Sequence, residues 1–350
     1  MNGGLLELRP AEALSLLPQG LLGQMYLWGI EVIKVIQRVE NPVLTALVKF
    51  ITLLGTEYLY VPLILFIFWW VDEKRGFRLG IFIILSAWIN AFLKDLWALP
   101  RPFNLDASLG LAFEPTYGAP SGHAQNSLCF WIPMAVWLQG RQRRPRLLWT
   151  GVAVLLLLIG FSRLYLGVHF PTDLFAGWII ALLLLAGIWF FHRQVLERIT
   201  GRLGSRFYNI TAAGLTLVMN SLYPAGTYLS ALFLGLCLGY TLMKERFPFS
   251  TRENLHGKKS GILVMIQRCL MGFGGMVIIY FLLRLILPGE GSLLRDIPLW
   301  GSSSPYYELG RFFRYGLLGF WVSAGAPLLF QRMRLSLTEG PGDNKSSEGS

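Results

Sequence analysis

Long apolar runs separated by short polar links, most of them basic, make up nearly the whole chain. The runs lie at about 43–71, 77–97, 122–139, 147–165 and 172–192, and again at about 207–222, 227–243, 261–287 and 309–330. Most approach or exceed the roughly 20 residues that a helix needs to cross a bilayer. The pattern predicts an all-α, polytopic membrane helical bundle of about nine transmembrane helices. Residues 21–38 follow a different rhythm, with Glu31, Lys34 and Arg38 spaced three and four apart opposite a face of Leu, Ile and Val. That periodicity predicts an amphipathic helix lying in the membrane interface rather than a span, stopped by Asn41-Pro42.

The division that follows is an N-terminal amphipathic segment (1–42), a first bundle (43–192), accessory transmembrane helices (193–337) and a Ser/Gly-rich disordered tail (338–350). The Arg/Gly-rich stretch 193–206 marks the boundary between the two bundles. No internal repeat is evident.

Composition agrees with a membrane protein. Of 350 residues 54% are apolar and 15% charged, whereas a soluble domain carries about 25% charge. A formal charge of +11 would suit a nucleic-acid binder, but its placement argues otherwise. Lys74, Arg75 and Arg78 fall in one link, Arg141, Arg143, Arg144 and Arg146 in another, and Arg193, Arg198, Arg202 and Arg206 in a third. Lys244, Arg246, Arg252, Lys258 and Lys259 follow, then Arg332 and Arg334. With this span order all of these regions share one face, which the positive-inside rule makes cytoplasmic; nucleic acid is not an expected partner. Cys129, Cys237 and Cys269 sit in apolar runs without metal-ligand spacing. Near the N-terminus Glu7, Arg9 and Pro10 interrupt what would be the apolar part of a cleavable signal.

The chemistry collects between residues 94 and 173, at span ends on the opposite, extracytoplasmic face. Lys94 precedes Arg101, which Pro100 and Pro102 bracket; a guanidinium fork and a mobile ammonium suit phosphate oxygens. Pro120-Ser121-Gly122-His123 opens a helix whose free N–H groups favour an anion. Ser162-Arg163 ends one span, and His169-Phe170-Pro171-Thr172-Asp173 starts the next. Asp173 there can hold one imidazole nitrogen of His169 and turn the other outward, the arrangement of a base and its orienter. Each cluster alone has an ordinary alternative: snorkelling cations, a Ser N-cap with a chance His, a solvated His before a helix-start Asp. Glu57, mid-way along the first run, reads as a buried polar contact, with a proton-linked residue as the alternative. His192 and His256 read as solvated cytoplasmic residues.

Together the clusters give K-x6-R-P, P-S-G-H and S-R-x5-H-x3-D in order. Over about 43–192 the chain thereby resembles the type-2 phosphatidic acid phosphatase superfamily, which includes lipid phosphatases, polyprenyl diphosphate phosphatases, glucose-6-phosphatase and the vanadium haloperoxidases. The resemblance implies that His169 is the nucleophile and forms a phosphohistidine, with Asp173 orienting it and His123 serving the leaving group and then water. It implies that Lys94, Arg101, Ser121, Gly122 and Arg163 hold the phosphoryl group; with three cations there and no Asp/His cluster at metal-ligand spacing, no metal and no cofactor is expected. The expected function is hydrolysis of a phosphate monoester or diphosphate, of a lipid such as phosphatidate, a polyprenyl diphosphate or a sphingoid-base phosphate, with membrane lipids as surroundings. A soluble sugar phosphate is the alternative substrate, since the long layout is similar to glucose-6-phosphatase. From another class, a non-catalytic lipid-binding scaffold or a transporter would not need His123, His169 and Asp173. Haloperoxidases resemble the site but are soluble.

Overall fold

The computed structural model describes residues 20–336 apart from 141, 192–196, 250, 252–260, 290, 295, 298–299 and 302–303. Residues 1–19 of the N-terminal segment and the expected tail, together with Arg141, His192, Arg193, Arg252, His256, Lys258 and Lys259, lie outside the described residues. The architecture is all-helical: α1 (Leu21–Gln37), α2 (Pro42–Leu53), α3 (Glu57–Phe66, running into a π turn at Ile67–Val71), α4 (Glu73–Trp97), α5 (Pro102–Leu105), α6 (Gly122–Gln139), α7 (Pro145–Tyr165), α8 (Pro171–Phe191), α9 (Glu197–Leu222), α10 (Thr227–Arg246), α11 (Ile262–Ile286), α12 (Tyr307–Phe320) and α13 (Ala326–Arg332). Every apolar run of the sequence contains a helix. Among the described residues Pro42–Val71, Glu73–Leu105, Pro145–Tyr165, Pro224–Arg246 and Ile262–Ile286 are long and apolar enough to cross a membrane, and Pro171–Gly187 is a shorter apolar helix.

The chain forms two compact units, Met1–Tyr60 with Ser86–Phe191, and Val61–Leu85 with His192–Ser350. In the first, α6 packs along α7 and α8, and α2 lies on α7. Local sequence explains where these helices begin. Asn41 caps α2 by accepting from Leu44 N at 2.9 Å, with Pro42 at the first helical position. Pro145 starts α7 and Ser121 caps α6. Phe170 precedes α8, and its N–H donates to the Asp173 carboxylate at 2.9 Å, the return half of a capping box. In the second unit α10 packs on α9 and α12, and α11 on α12. There Arg268 is fully buried and donates to the carbonyls of Trp69, Thr251 and Leu335, a structural clamp.

Two features depart from the sequence analysis. The first apolar run is not one straight helix, because a turn at Leu54–Thr56 breaks it, with Thr56 donating to Leu53 O at 2.7 Å. Glu57 is consequently exposed in the first turn of α3, where the helix dipole favours an acid, rather than buried mid-span. The apolar side of α1 does more than face lipid. Tyr26, Ile30 and Ile33 form a buried cluster with Leu105, Leu109 and Phe170, and Tyr26 meets Phe170 edge-on at 4.5 Å. Gln37 at its end donates to Leu109 O at 2.9 Å and Tyr165 O at 2.8 Å, satisfying a carbonyl at the end of α7. The turn from α7 to α8 needs glycine at 167, where φ is +67° and a Cβ would collide with Leu109 O. These contacts fix the backbone immediately before His169.

Candidate active site

The C-terminal ends of α4 and α7, the N-terminal ends of α6 and α8 and the loop 106–121 bring the candidate residues together in the first unit. His169 and Asp173 are fully buried, and Nδ1 of His169 lies 3.3 Å from Asp173 Oδ2. A proton on Nδ1 donates to that carboxylate and leaves Nε2 with its lone pair toward the cations. Nε2 is 3.3 Å from Arg101 Nη1. Burial first, then the charges of Arg101, Lys94 and Arg163, hold the His169 imidazole well below its ordinary pKa, so it is neutral at pH 7.

Arg101 is held on several sides. Its Nε donates to Thr116 O at 2.6 Å, Nη1 to Val168 O at 2.7 Å and Nη2 to Thr116 Oγ1 at 2.9 Å. Arg163 donates through Nη1 to Thr52 Oγ1 at 2.6 Å. Both guanidiniums then converge on one carboxylate, Glu114: Arg101 Nη2 is 2.7 Å from Oε2, and Arg163 Nη2 pairs with Oε1. Burial raises the Glu114 carboxyl, but Arg163 and Arg101 outweigh it and hold the pKa at about 2. Oε2 stands 3.8 Å from His169 Nε2.

Lys94 joins through the loop, donating to Tyr117 O at 2.7 Å. Ser121 is buried; its N–H donates to Asp173 O at 3.0 Å and its hydroxyl accepts from Ala124 N at 3.4 Å. Gly122 meets Asn90, whose Oδ1 would lie 3.0 Å from an added Cβ. Beneath that turn Asn90 donates to Pro120 O at 3.2 Å and to Gln125 at 3.0 Å, and Gln125 donates to Ser86 O at 2.8 Å. His123 is half-buried beside Gly55. All eight residues singled out in the sequence therefore lie at these helix ends or in the links between them, within the first unit.

Sequence reasoning did not pair Glu114 or Thr116 with the arginines, and it missed Thr52 and the Ser86–Asn90–Gln125 network. Glu114 carried one usable signal, as an acid in the loop between Arg101 and His123. Polar residues inside a bundle must be satisfied internally, which explains Ser86, Asn90 and Gln125, but no spacing rule names their partners. Chemically, two fixed guanidinium forks around a carboxylate beside a neutral, oriented imidazole form a template for an oxyanion next to a nucleophile.

The PAP2 superfamily profile matches residues 75–197, and a PAP2 superfamily phosphatase transmembrane-extension profile matches residues 227–338. The chain is 30% identical over 161 residues to an undecaprenyl-diphosphatase of Sulfolobus acidocaldarius, covering 44% of this chain and 73% of that protein. It is 29% identical over 154 residues to phosphatidylglycerophosphatase B of Bacillus subtilis, covering 42% and 74%. It is 30% identical over 150 residues to sphingosine-1-phosphate phosphatase 2 of Mus musculus, covering 42% of each, so the match spans less than half the length of that relative.

Proposed function

Since the chain belongs to the PAP2 superfamily and also matches its phosphatase transmembrane extension, we propose that it hydrolyses the phosphate monoester or diphosphate of a lipid through a phosphohistidine on His169, without a metal. The observation that carries this reading is the His169–Asp173 pair, 3.3 Å apart, with Nε2 turned to the place where Arg101 and Arg163 hold an anion.

In the first step His169 Nε2 attacks phosphorus, the N–P bond forms, and the P–O bond to the leaving group breaks as His123 gives that oxygen a proton. In the second, His123 takes a proton from water, the water oxygen attacks phosphorus, and the N–P bond breaks to release inorganic phosphate. Asp173 keeps the Nδ1 proton in place as the ring gains positive charge. Arg101, Arg163 and Lys94, with Ser121 and the Gly122 backbone, neutralise and position the phosphoryl oxygens, which is most of what phosphoryl transfer asks of a protein. The catalytic bundle is 43–192, the helices of 193–337 are accessory, and the full set of spans is about nine, with the site on the face opposite the basic links.

The test is phosphate release by the purified chain in detergent from phosphatidate, a polyprenyl diphosphate and a sphingoid-base phosphate, with chelator present. Turnover that persists in chelator, is blocked by vanadate and yields an acid-labile phosphoenzyme is expected. Activity abolished by chelator and restored by a divalent ion would reject the mechanism.

A further inference from the structure

We propose that Glu114 is an internal occupant of the phosphoryl site, a carboxylate that holds the place of substrate oxygens between Arg101 and Arg163 and must be displaced before catalysis. This rests on the phosphatase reading of the site. A carboxylate and a phosphoryl group offer an arginine fork the same pair of oxygens, and Glu114 gives one to each guanidinium. Its Oε2 lies 3.8 Å from His169 Nε2, close to where a phosphorus atom must sit for attack.

The cations are the fixed parts and the carboxylate is the movable one. Arg101 and Arg163 are 1% and 3% exposed and tied to Val168 O, Thr116 and Thr52, whereas the Glu114 side chain is 26% exposed. The fit is also incomplete. Arg163 Nε, on the same edge of the guanidinium as Nη2, is buried with no hydrogen-bond partner among the described residues. A phosphoryl group has a third oxygen to offer there, and a carboxylate has none. Leaving a buried cation cluster without any anion is costly, so Glu114 balances the site between turnovers and competes with product when phosphate leaves. The competition also sets specificity. A dianionic terminal phosphoryl group can displace a carboxylate from two guanidiniums, and a singly charged phosphodiester is disfavoured.

The experiment uses the full chain in detergent, with inorganic phosphate and orthovanadate as probes beside a lipid phosphate monoester as substrate. If the carboxylate-free state is a minor one, apparent affinity is reduced by its population, so E114Q should bind phosphate and vanadate about tenfold more tightly, with KM moving the same way. E114D keeps the charge and should lie between. In the unsubstituted chain, saturating vanadate should expose Glu114 to a water-soluble carbodiimide, a readout that needs no variant to fold. Weaker or unchanged vanadate binding by E114Q, or labelling of Glu114 that vanadate leaves unaltered, would overturn the proposal. Absence of turnover by the unsubstituted chain on every phosphate ester would instead reject the phosphatase reading, and the anion-binding arms would still report on Glu114.

Discussion

One carboxylate oxygen, Oδ2 of Asp173, both receives the Phe170 N–H that starts α8 at 2.9 Å and lies 3.3 Å from Nδ1 of His169. The same atom sets the helix start and the imidazole orientation, so the proposed nucleophile is aimed by the capping of the helix behind it. Asp173→Asn can still present an oxygen to one of these donors but cannot serve the ring as a charge. The expected loss in kcat is about 10²- to 10⁴-fold, by analogy with other orienting carboxylates, with KM changed little. His169→Ala should abolish the phosphoenzyme altogether, and His123→Ala should slow both its formation and its breakdown. Steady-state kinetics with rapid-quench trapping separates the three; near-normal turnover by His169→Ala would contradict the assignment.

Acid should weaken the fold through Glu114. Its carboxyl is held at about 2 against an ordinary 4.5, so below pH 4.5 the unfolded chain binds a proton that the folded one refuses until about pH 2. Stability rises with pH wherever the unfolded state binds more protons, so this contribution is present above pH 4.5 and is lost on acidification toward about 2. Thermal unfolding in detergent should show a melting temperature that falls below pH 4.5 and that Glu114→Gln flattens there. A melting temperature independent of pH across that window would contradict the assignment.

The helices and the charged clusters were legible because each depends on short-range rules. An apolar run of bilayer length becomes a helix, Pro171 and Asp173 mark a helix start, and a spacing of four puts His169 and Asp173 within reach. What the chain does between distant segments was not legible. Glu114 meets Arg163 across 49 positions of sequence, and Thr52 meets Arg163 across 111. No periodicity encodes such pairings, since loop 106–121 has no regular register. The break at Leu54–Thr56 was passed over although Gly55 and Thr56-Glu57 have helix-stop and helix-start character, because the apolar residues on either side read as one span. The buried side of α1 was misjudged in part because Tyr26, Ile30 and Ile33 look the same facing lipid or facing Phe170.

The orientation of the site is open to labelling. Helix α7 spans 21 residues, about 30 Å at the helical rise, with Arg144 and Arg146 at one end and Arg163 at the other. Cysteines placed at Ala107 and Gln142, both exposed, should react with an impermeant maleimide from opposite sides of intact cells, in a background lacking Cys129, Cys237 and Cys269. Labelling of both from one side would refute the topology.

Substrate choice turns on what the loop 106–121 and its surroundings have left to offer. A sugar phosphatase must read hydroxyl groups with polar side chains around the pocket, and here most of those are committed to the protein itself. Asn104 accepts from Arg101 N at 2.9 Å, Thr116 from Arg101 Nη2 at 2.9 Å, and Asp106 from Ser108, while Lys34 pairs with Asp106 at 3.4 Å. Around the same helix ends, Leu96, Trp97, Phe113 and Phe161 are exposed apolar residues, suited to acyl or prenyl chains at the depth where a headgroup arrives. A membrane-held substrate also avoids much of the entropy loss of capture from solution. Lipid phosphates or polyprenyl diphosphates should therefore be turned over with kcat/KM at least about tenfold above hexose phosphates, roughly 1.4 kcal/mol in transition-state binding. Replacing Trp97 and Phe113 with Ser should lower kcat/KM for the lipid while leaving a short-chain, water-soluble phosphate ester nearly unaffected. Equal or better efficiency on glucose 6-phosphate, measured beside the lipid in the same micelles, would move the protein to the sugar-phosphate alternative.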